Sequence, residues 1–168
     1  TVQVYGVAAF EYAYVDYDGG KPNMDVLQAA GGVAGGFKGE EALGRGLAVW
    51  FQCESSADIR GVGQSGFCGR NSALGFKGGF GNFFVGRWDT PMKRAWVGAN
   101  TGAEDTGIFG NAPLLRGDST SLIGAAGRAV WSRRQSNMLS YDTPNMGGFV
   151  GMLGFSAADA TAATSALK

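Results

Sequence analysis

The chain has 168 residues, 45% of them hydrophobic, and its 14 basic and 14 acidic side chains give a formal net charge of zero. This balance provides no electrostatic footprint for a nucleic acid. The absence of histidine excludes histidine-based catalytic triads, and two cysteines cannot complete a four-ligand zinc site by themselves. No apolar run reaches the ~18 residues that a membrane-spanning helix requires.

Apolar and polar residues alternate along much of the chain, which predicts strands with one apolar and one mixed face. The first strand begins at Val2 and continues to about Tyr17, so it is longer than the ~5–6 residues of a typical soluble strand. Thr90 and Pro91 are typical of a helix start and predict a short helix over 91–97. The predicted strands cover residues 2–17, 33–41, 47–55, 70–78, 83–88, 132–142 and 149–156.

The connections between these strands alternate in length. Short turns are predicted at 42–46, 79–82 and 143–148, and long loops at 18–32, 56–69 and 89–131. Outer-membrane barrels have short turns at one end and long loops at the other. A soluble β-sandwich also alternates apolar and polar residues along its strands. The periodicity therefore leaves both folds open.

Five segments resemble motifs of the general bacterial porins, in the order that this family has them. Val2–Gly6 is similar to the family's opening strand, and residues 36–44 (GFKGEEALG) are similar to its G-[FL]-[KR]-G-x-E-D-L-G turn. Residues 44–54 (GRGLAVWFQCE) resemble the strand that reads Gly-Leu and ends in Gln-x-Glu. Residues 70–87 resemble R-x-S-x-x-G-L-x-G-x-F-G-x-x-x-x-G-R, and residues 139–149 resemble S-Y-x-[ST]-P-x-F-G-G-F.

The resemblance implies an all-β fold, a transmembrane antiparallel β-barrel with about sixteen strands in the complete protein, of which about seven lie in this chain. We expect residues 1–168 to form one porin barrel domain that is incomplete at its C-terminus. The first residues lack the basic start and apolar centre of a signal peptide, so the protein either is not exported or is present in its mature form, and the strand pattern and the resemblance favour the mature form.

The function that the resemblance implies is passive diffusion of small hydrophilic solutes and ions through the outer membrane of a Gram-negative cell. Neither enzymatic activity nor a cofactor nor a metal is expected. The expected partners are the lipid bilayer, lipopolysaccharide and two further copies of the chain in a homotrimer, and no nucleic acid. Two alternatives remain: a secreted or surface β-sandwich that acts as an adhesin or binding module, and a porin-family barrel with mainly structural or partner-binding roles.

Porins of this family narrow the pore with their third external loop, which faces basic residues of the wall. That loop corresponds to residues 89–131 here and is expected to fold inward. The expected constriction residues are Arg70, Arg134, Lys38, Glu104, Asp105 and Asp118. The alternative for the three loop acids is that they are solvated surface charges.

Pore-lining positions also follow from the family's parity, which places Ser72 and Leu74 beside Arg70 on the lumen side. The full set of expected pore-lining residues is Glu11, Gln52, Glu54 and Ser72. From Asp89 to Arg134 the sequence has six basic and four acidic residues. An inward-folded loop of this charge predicts a mild preference for anions.

The two cysteines lie where one predicted strand ends and the next begins. Adjacent antiparallel strands would bring Cys53 and Cys68 close together, and an exported protein meets an oxidising compartment. A disulfide between them is therefore expected. Two free thiols are the alternative, because Cys53 has the parity of the lipid-facing residues.

Overall fold

The structure is a computed structural model that describes residues 1–8, 10–16, 23–29, 33–56, 66–99 and 133–157. Within these ranges the chain forms nine β-strands and one α-helix. The elements are β1 (Val2–Val7), β2 (Phe10–Val15), β3 (Met24–Ala29), β4 (Ala34–Gly44), β5 (Leu47–Ser56), β6 (Ser72–Gly78), β7 (Gly81–Asp89), α1 (Pro91–Ala99), β8 (Arg134–Asp142) and β9 (Met152–Ser156).

Seven of the strands form one antiparallel sheet in the order β1-β4-β5-β6-β7-β8-β9, and β2 pairs with β3 in a separate two-stranded sheet. β4 pairs with β1, and from β5 onward each strand lies beside its predecessor along the chain, as in a barrel wall. The predicted antiparallel β fold is confirmed. The single strand predicted over 2–17 is divided into β1 and β2, and β3 lies inside the loop predicted at 18–32.

One face of the seven-stranded sheet, called the apolar face below, exposes hydrophobic side chains on every strand. Directly paired residues of antiparallel strands point to the same side of a sheet, so a row of such pairs traces one face. The side chains of Val2, Phe51, Leu74, Val85, Leu139 and Phe155 are between 38% and 67% exposed. The row that contains them is Val2, Gly39, Phe51, Leu74, Val85, Leu139 and Phe155.

The opposite face, called the helix face below, is covered in part by α1. Its central row comprises Glu40, Trp50, Gly75, Phe84, Ser140 and Gly154. Phe84 and Ser140 are each only 2% exposed. The two most deeply buried side chains of this sheet therefore lie on the helix face, and the apolar face lacks a covering layer within the described residues.

Gly75 lets the Trp50 indole lie across β6 on the helix face. A Cβ atom at Gly75 would come within 2.6 Å of the indole Cε2 and Nε1 atoms and 2.7 Å of the Phe84 Cβ. The indole Nε1–H reaches the Oδ1 atom of Asn82 at 2.7 Å. Trp50 also packs against Phe84 with their ring centroids 5.5 Å apart, and Phe84 contacts Trp88 at 5.4 Å. The absent side chain thus makes room for an aromatic cluster.

The helix α1 begins as the sequence predicts, at Pro91 after Thr90. The Thr90 carbonyl accepts a hydrogen bond from the Arg94 N–H at 2.9 Å, which forms the first helical turn. Pro91 packs on β9, where a Cβ atom at Gly154 would lie 3.1 Å from the proline Cδ. Among the described residues, no helix is both long enough and apolar enough to cross a membrane.

Candidate functional site

A group of charged and polar residues, called the charged cluster below, joins β5, β7, β8, α1 and the segment that leads into β6. Its members are Glu54, Arg70, Asn71, Asp89, Lys93 and Arg134. The charged side chains in it are only 13–25% exposed. Side chains held this far from bulk solvent interact more strongly than freely exposed ones.

Glu54 organises one end of the cluster. Its Oε1 atom accepts a hydrogen bond from the Arg70 Nε at 2.8 Å, and its Oε2 atom accepts one from the Tyr5 hydroxyl at 2.9 Å. Glu54 shares the helix face with Gln52 and Trp50, since these three residues alternate along β5. The bond from Arg70 to Glu54 therefore places the Arg70 guanidinium on the helix face as well.

Asp89 organises the other end. Its Oδ1 atom lies 3.1 Å from the Arg134 Nε and 3.2 Å from the Lys93 Nζ, and its Oδ2 atom accepts a hydrogen bond from the Asn71 Nδ2 at 3.0 Å. The Arg134 Nε also donates to the Asn71 Oδ1. Three basic and two acidic side chains thus give the whole cluster a formal charge of +1.

A second contact fixes α1 to the sheet. The Arg94 guanidinium donates two hydrogen bonds to the Asp142 carboxylate, at 2.7 Å and 2.8 Å, and its central carbon lies 5.5 Å from the centroid of the Phe84 ring. A two-point guanidinium–carboxylate pair fixes direction as well as distance. The helix that opens the predicted constriction segment is thereby tied to β8 on the helix face.

A groove on the helix face lies nearer to the short turns of the sheet. Lys38 and Gln52 line it together with Lys77, whose Nζ atom pairs with the Glu40 carboxylate at 2.5 Å. The Lys38 ammonium lies 5.1 Å from the centroid of the Tyr5 ring. The sheet therefore carries polar and charged side chains along this face as well as in the charged cluster.

The structure brings several of the expected pore residues together. Arg70, Arg134 and Glu54 meet in the charged cluster, and Lys38 and Gln52 lie beside the groove. Glu11 lies on β2 opposite Gln28 in the two-stranded sheet. Glu104, Asp105 and Asp118 lie outside the described residues.

The parity expected for Ser72 and Leu74 is wrong. Leu74 pairs with Phe51 and Val85 on the apolar face, and Ser72 shares that parity along β6. The Ser72 hydroxyl instead accepts a hydrogen bond from the backbone N–H of Glu54 at 2.9 Å. The physical reason is the register of the two strands. Ala73 pairs with Gln52 and Gly75 pairs with Trp50 on the helix face, so Ser72 and Leu74 point to the other side.

The site residues expected from the sequence do not include five further residues that take part in these contacts. They are Asn71, Asp89, Lys93, Arg94 and Asp142. Asp89 and Lys93 stand four residues apart at the start of a predicted helix, a spacing that favours an ion pair. This spacing alone indicates the Asp89–Lys93 ion pair. The pairing of Arg94 with Asp142 joins residues 48 positions apart and had no local signal.

Cys53 and Cys68 form a disulfide with their Cα atoms 4.7 Å apart. Cys53 pairs with Phe37 on the apolar face, whereas Glu54, the next residue, points to the helix face. The bridge joins the end of β5 to the segment that leads into β6.

The sequence profile of the Gram-negative porins matches residues 1–167. The major outer membrane protein P.IB of Neisseria gonorrhoeae is 34% identical over 126 residues, which cover 74% of this chain and 32% of the relative. The protein of the same name from Neisseria lactamica is 34% identical over 124 residues, which cover 74% of this chain and 33% of the relative. The chain thus spans about a third of the length of these curated relatives.

Solved structures of outer-membrane proteins share the fold. An anion-selective porin from Comamonas acidovorans matches with a TM-score of 0.72 and 27% identity, over 93% of this chain and 46% of that one. OmpT of Vibrio cholerae, in a trimer form, matches with a TM-score of 0.61 and 20% identity over 94% of this chain and 41% of that one, which is a likeness of fold alone. The chain therefore belongs to the Gram-negative porins, a family of outer-membrane β-barrel proteins.

Proposed function

We propose that this chain forms part of the wall of a water-filled channel through which small hydrophilic solutes and ions cross the outer membrane by passive diffusion, with a mild preference for anions. The observation that carries the proposal is the two-faced sheet. One face exposes apolar side chains on all seven strands, and the other holds charged residues and a helix.

The apolar face fits contact with lipid. A soluble sheet would have to cover a surface of this kind, because a large exposed apolar area binds other molecules or aggregates in water. In a barrel wall the same alternation directs apolar side chains to the bilayer and polar ones to the lumen. In this proposal the helix face lies toward water, and α1 forms the first part of the segment 89–131 that we expect to be the constriction loop.

The charge on the helix face supports the preference for anions. Its charged residues among those described are Lys38, Lys77, Arg70, Lys93, Arg94 and Arg134, against Glu40, Glu54, Asp89 and Asp142. The formal sum is +2. The relative from Comamonas acidovorans is described as anion-selective. We expect a weak preference, because water and salt screen charges beyond ~8–10 Å at ordinary ionic strength.

Reversal potentials of the full-length protein in planar lipid bilayers, measured across a potassium chloride gradient, test this function. The unmodified channel should favour chloride slightly, and the double variant Arg70→Gln/Arg134→Gln should shift toward potassium. Arg87→Gln is the control, because Arg87 pairs in register with Ser72 on the other side of the sheet. Strong potassium selectivity of the unmodified protein, or no response to the double substitution, would contradict the assignment of these arginines to the ion path.

The partners in this proposal are lipid, lipopolysaccharide and two further copies of the chain in a homotrimer. Porins are channels rather than enzymes, and we propose that this chain has no catalytic role and binds no cofactor. Chemical cross-linking of the full-length protein in detergent should yield a species of three chains. A protein that inserts into bilayers without conducting ions would instead support a structural or partner-binding barrel.

A further inference from the structure

The connection between β5 and the start of β6 differs from an ordinary strand pairing. The paired ladder of these strands ends at Gln52 and Ala73. Beyond that point the Arg70 backbone N–H still donates to the Glu54 carbonyl at 2.9 Å. Side-chain bonds replace the ladder, among them the bond from the Gln52 amide to the Asn71 carbonyl at 2.9 Å. The residues of the charged cluster thus lie where the ladder has already stopped.

The disulfide crosses this same junction. Cys53 directly precedes Glu54, and Cys68 lies two residues before Arg70. The bond holds the two Cα atoms at 4.7 Å. A further bond, from the Cys68 backbone N–H to the Ser55 hydroxyl at 3.0 Å, lies beside it. The covalent link therefore reinforces the few hydrogen bonds that remain at the residues that carry the Arg70–Glu54 ion pair.

Two residues of the charged cluster depend on this junction. Arg70 reaches Glu54, and its neighbour Asn71 bonds to both Arg134 and Asp89. A displacement of residues 70–71 away from β5 would separate the Arg70 guanidinium from Glu54. It would also remove the Asn71 amide that joins Arg134 to Asp89. The disulfide thus helps to hold residues 70–71 in the charged cluster, although the Cys53 side chain itself points to the apolar face.

We propose that Cys53 and Cys68 are positioning residues for Arg70 and Asn71, so that the redox state of their disulfide sets the ion preference of the channel. The proposal rests on the channel function proposed above. With the bridge intact, Arg70 is held against Glu54 and the cluster has its formal charge of +1. With the bridge open, Arg70 moves away and the Glu54 carboxylate keeps only its bond from the Tyr5 hydroxyl, so the local potential on the helix face becomes less positive.

The redox step is ordinary thiol–disulfide exchange. One thiolate of a dithiol reductant attacks a cysteine sulfur and releases the other cysteine, and the second thiol of the reagent then attacks the mixed disulfide and releases the first cysteine. The S–S bond of the protein breaks, two S–H bonds form, and the two electrons come from the reagent, which becomes a cyclic disulfide. In an oxidising compartment the bridged form is the resting state.

The experiment records the reversal potential of the full-length channel in a planar bilayer before and after addition of dithiothreitol. We expect the ratio of chloride to potassium permeability to fall about twofold, because a single charge acts on the ion path through water and salt. Opening of the bridge is verified on the same protein by the mass added when a neutral alkylating reagent labels two thiols. The Arg70→Gln channel should show a much smaller change on reduction, because the charged residue that the bridge positions is absent and the remaining one, Asn71, is neutral.

The Cys53→Ala/Cys68→Ala variant should match the reduced channel and ignore the reductant. If that variant does not fold, the reduced unmodified channel, already inserted in the bilayer, still gives the answer. An unchanged permeability ratio in protein with two labelled thiols overturns the proposal. An equal shift in Arg70→Gln overturns it too, since the bridge would then act by another route. Absence of any current in the unreduced protein contradicts the channel function itself and is recognised before reductant is added.

Discussion

Arg94 and Asp142 join the helix α1 to strand β8 through two parallel hydrogen bonds of 2.7 Å and 2.8 Å. Each side chain is 18% exposed, so the pair is largely shielded from water. The guanidinium also lies over the Phe84 ring. This contact ties the start of the segment that follows β7 to the sheet.

Replacing Arg94 by methionine should detach α1 from the sheet. The substitution keeps an aliphatic side chain over Phe84 but leaves the Asp142 carboxylate without its partner. We expect a loss of about 1–3 kcal/mol in the free energy of unfolding, below the range for fully buried pairs because water still reaches this one. Single-channel conductance of the full-length protein should rise as the helix moves away from the wall. Arg87→Met is the control, since Arg87 makes an exposed bond to Ser136, and equal effects of the two substitutions would contradict the role of Arg94.

Gly75→Ala should destabilise the aromatic cluster on the helix face. Its new methyl group would lie 2.6 Å from the Trp50 indole, so the ring would have to shift and weaken its bond to Asn82. Overpacking of this kind costs about 1–3 kcal/mol. Gly79→Ala is the matched control, because no atom lies within 4 Å of the added group. Urea titration of the protein in lipid vesicles compares the two, and a Gly75→Ala protein as stable as Gly79→Ala would refute the packing argument.

The sequence predicted the sheet better than the site. The alternation of apolar and polar residues predicted the strands β4 to β9, because in each of these strands every second side chain points to the same face of the sheet. It missed β3, where Met24–Ala29 contains Leu, Gln and Ala, residues that favour helices as much as strands. The side-chain bonds of the charged cluster depend on how the segments after β5 and β7 fold, which no periodicity encodes.

The error at Ser72 has a specific origin. The family motif places Ser72 on the lumen side, although the residues at 74 and 76 in this chain are Leu and Phe. Those two side chains are exposed on the apolar face, and a strand cannot place residues 72, 74 and 76 on different faces without a bulge. The local pattern of this chain was therefore the better guide.

If the apolar face contacts lipid, a charged side chain on it should lower the fraction of protein that folds into membranes. Leu74→Arg puts a cation on a face that the proposed channel turns to lipid, and such a substitution costs about 2–4 kcal/mol near the bilayer midplane. Gln3→Arg puts the same side chain opposite Lys38 on the other face, where water is expected. Heat-modifiable migration on gels after refolding with lipid vesicles measures the folded fraction. A Leu74→Arg protein that folds as fully as Gln3→Arg would mean that this face does not contact lipid.

Replacing the Asp89 carboxylate should change the ion preference in the direction opposite to that of the arginine substitutions. Asp89 faces Lys93 and Arg134 and accepts a bond from Asn71. Asp89→Asn keeps the shape and one acceptor oxygen but removes the negative charge, so the cluster changes from a formal +1 to +2. The chloride-to-potassium permeability ratio of the full-length channel should therefore rise, whereas Arg70→Gln/Arg134→Gln should lower it.

The control for Asp89→Asn is Glu41→Gln, which removes the same charge from a side chain that is 74% exposed and pairs in register with Val49 on the apolar face. That variant should leave the permeability ratio unchanged, since its charge lies off the proposed ion path and is screened by solvent. Because the Asp89 and arginine substitutions predict shifts in opposite directions, a general loosening of the barrel cannot produce both. A fall in the ratio for Asp89→Asn, or a rise of equal size for Glu41→Gln, would show that the charged cluster does not control which ions pass.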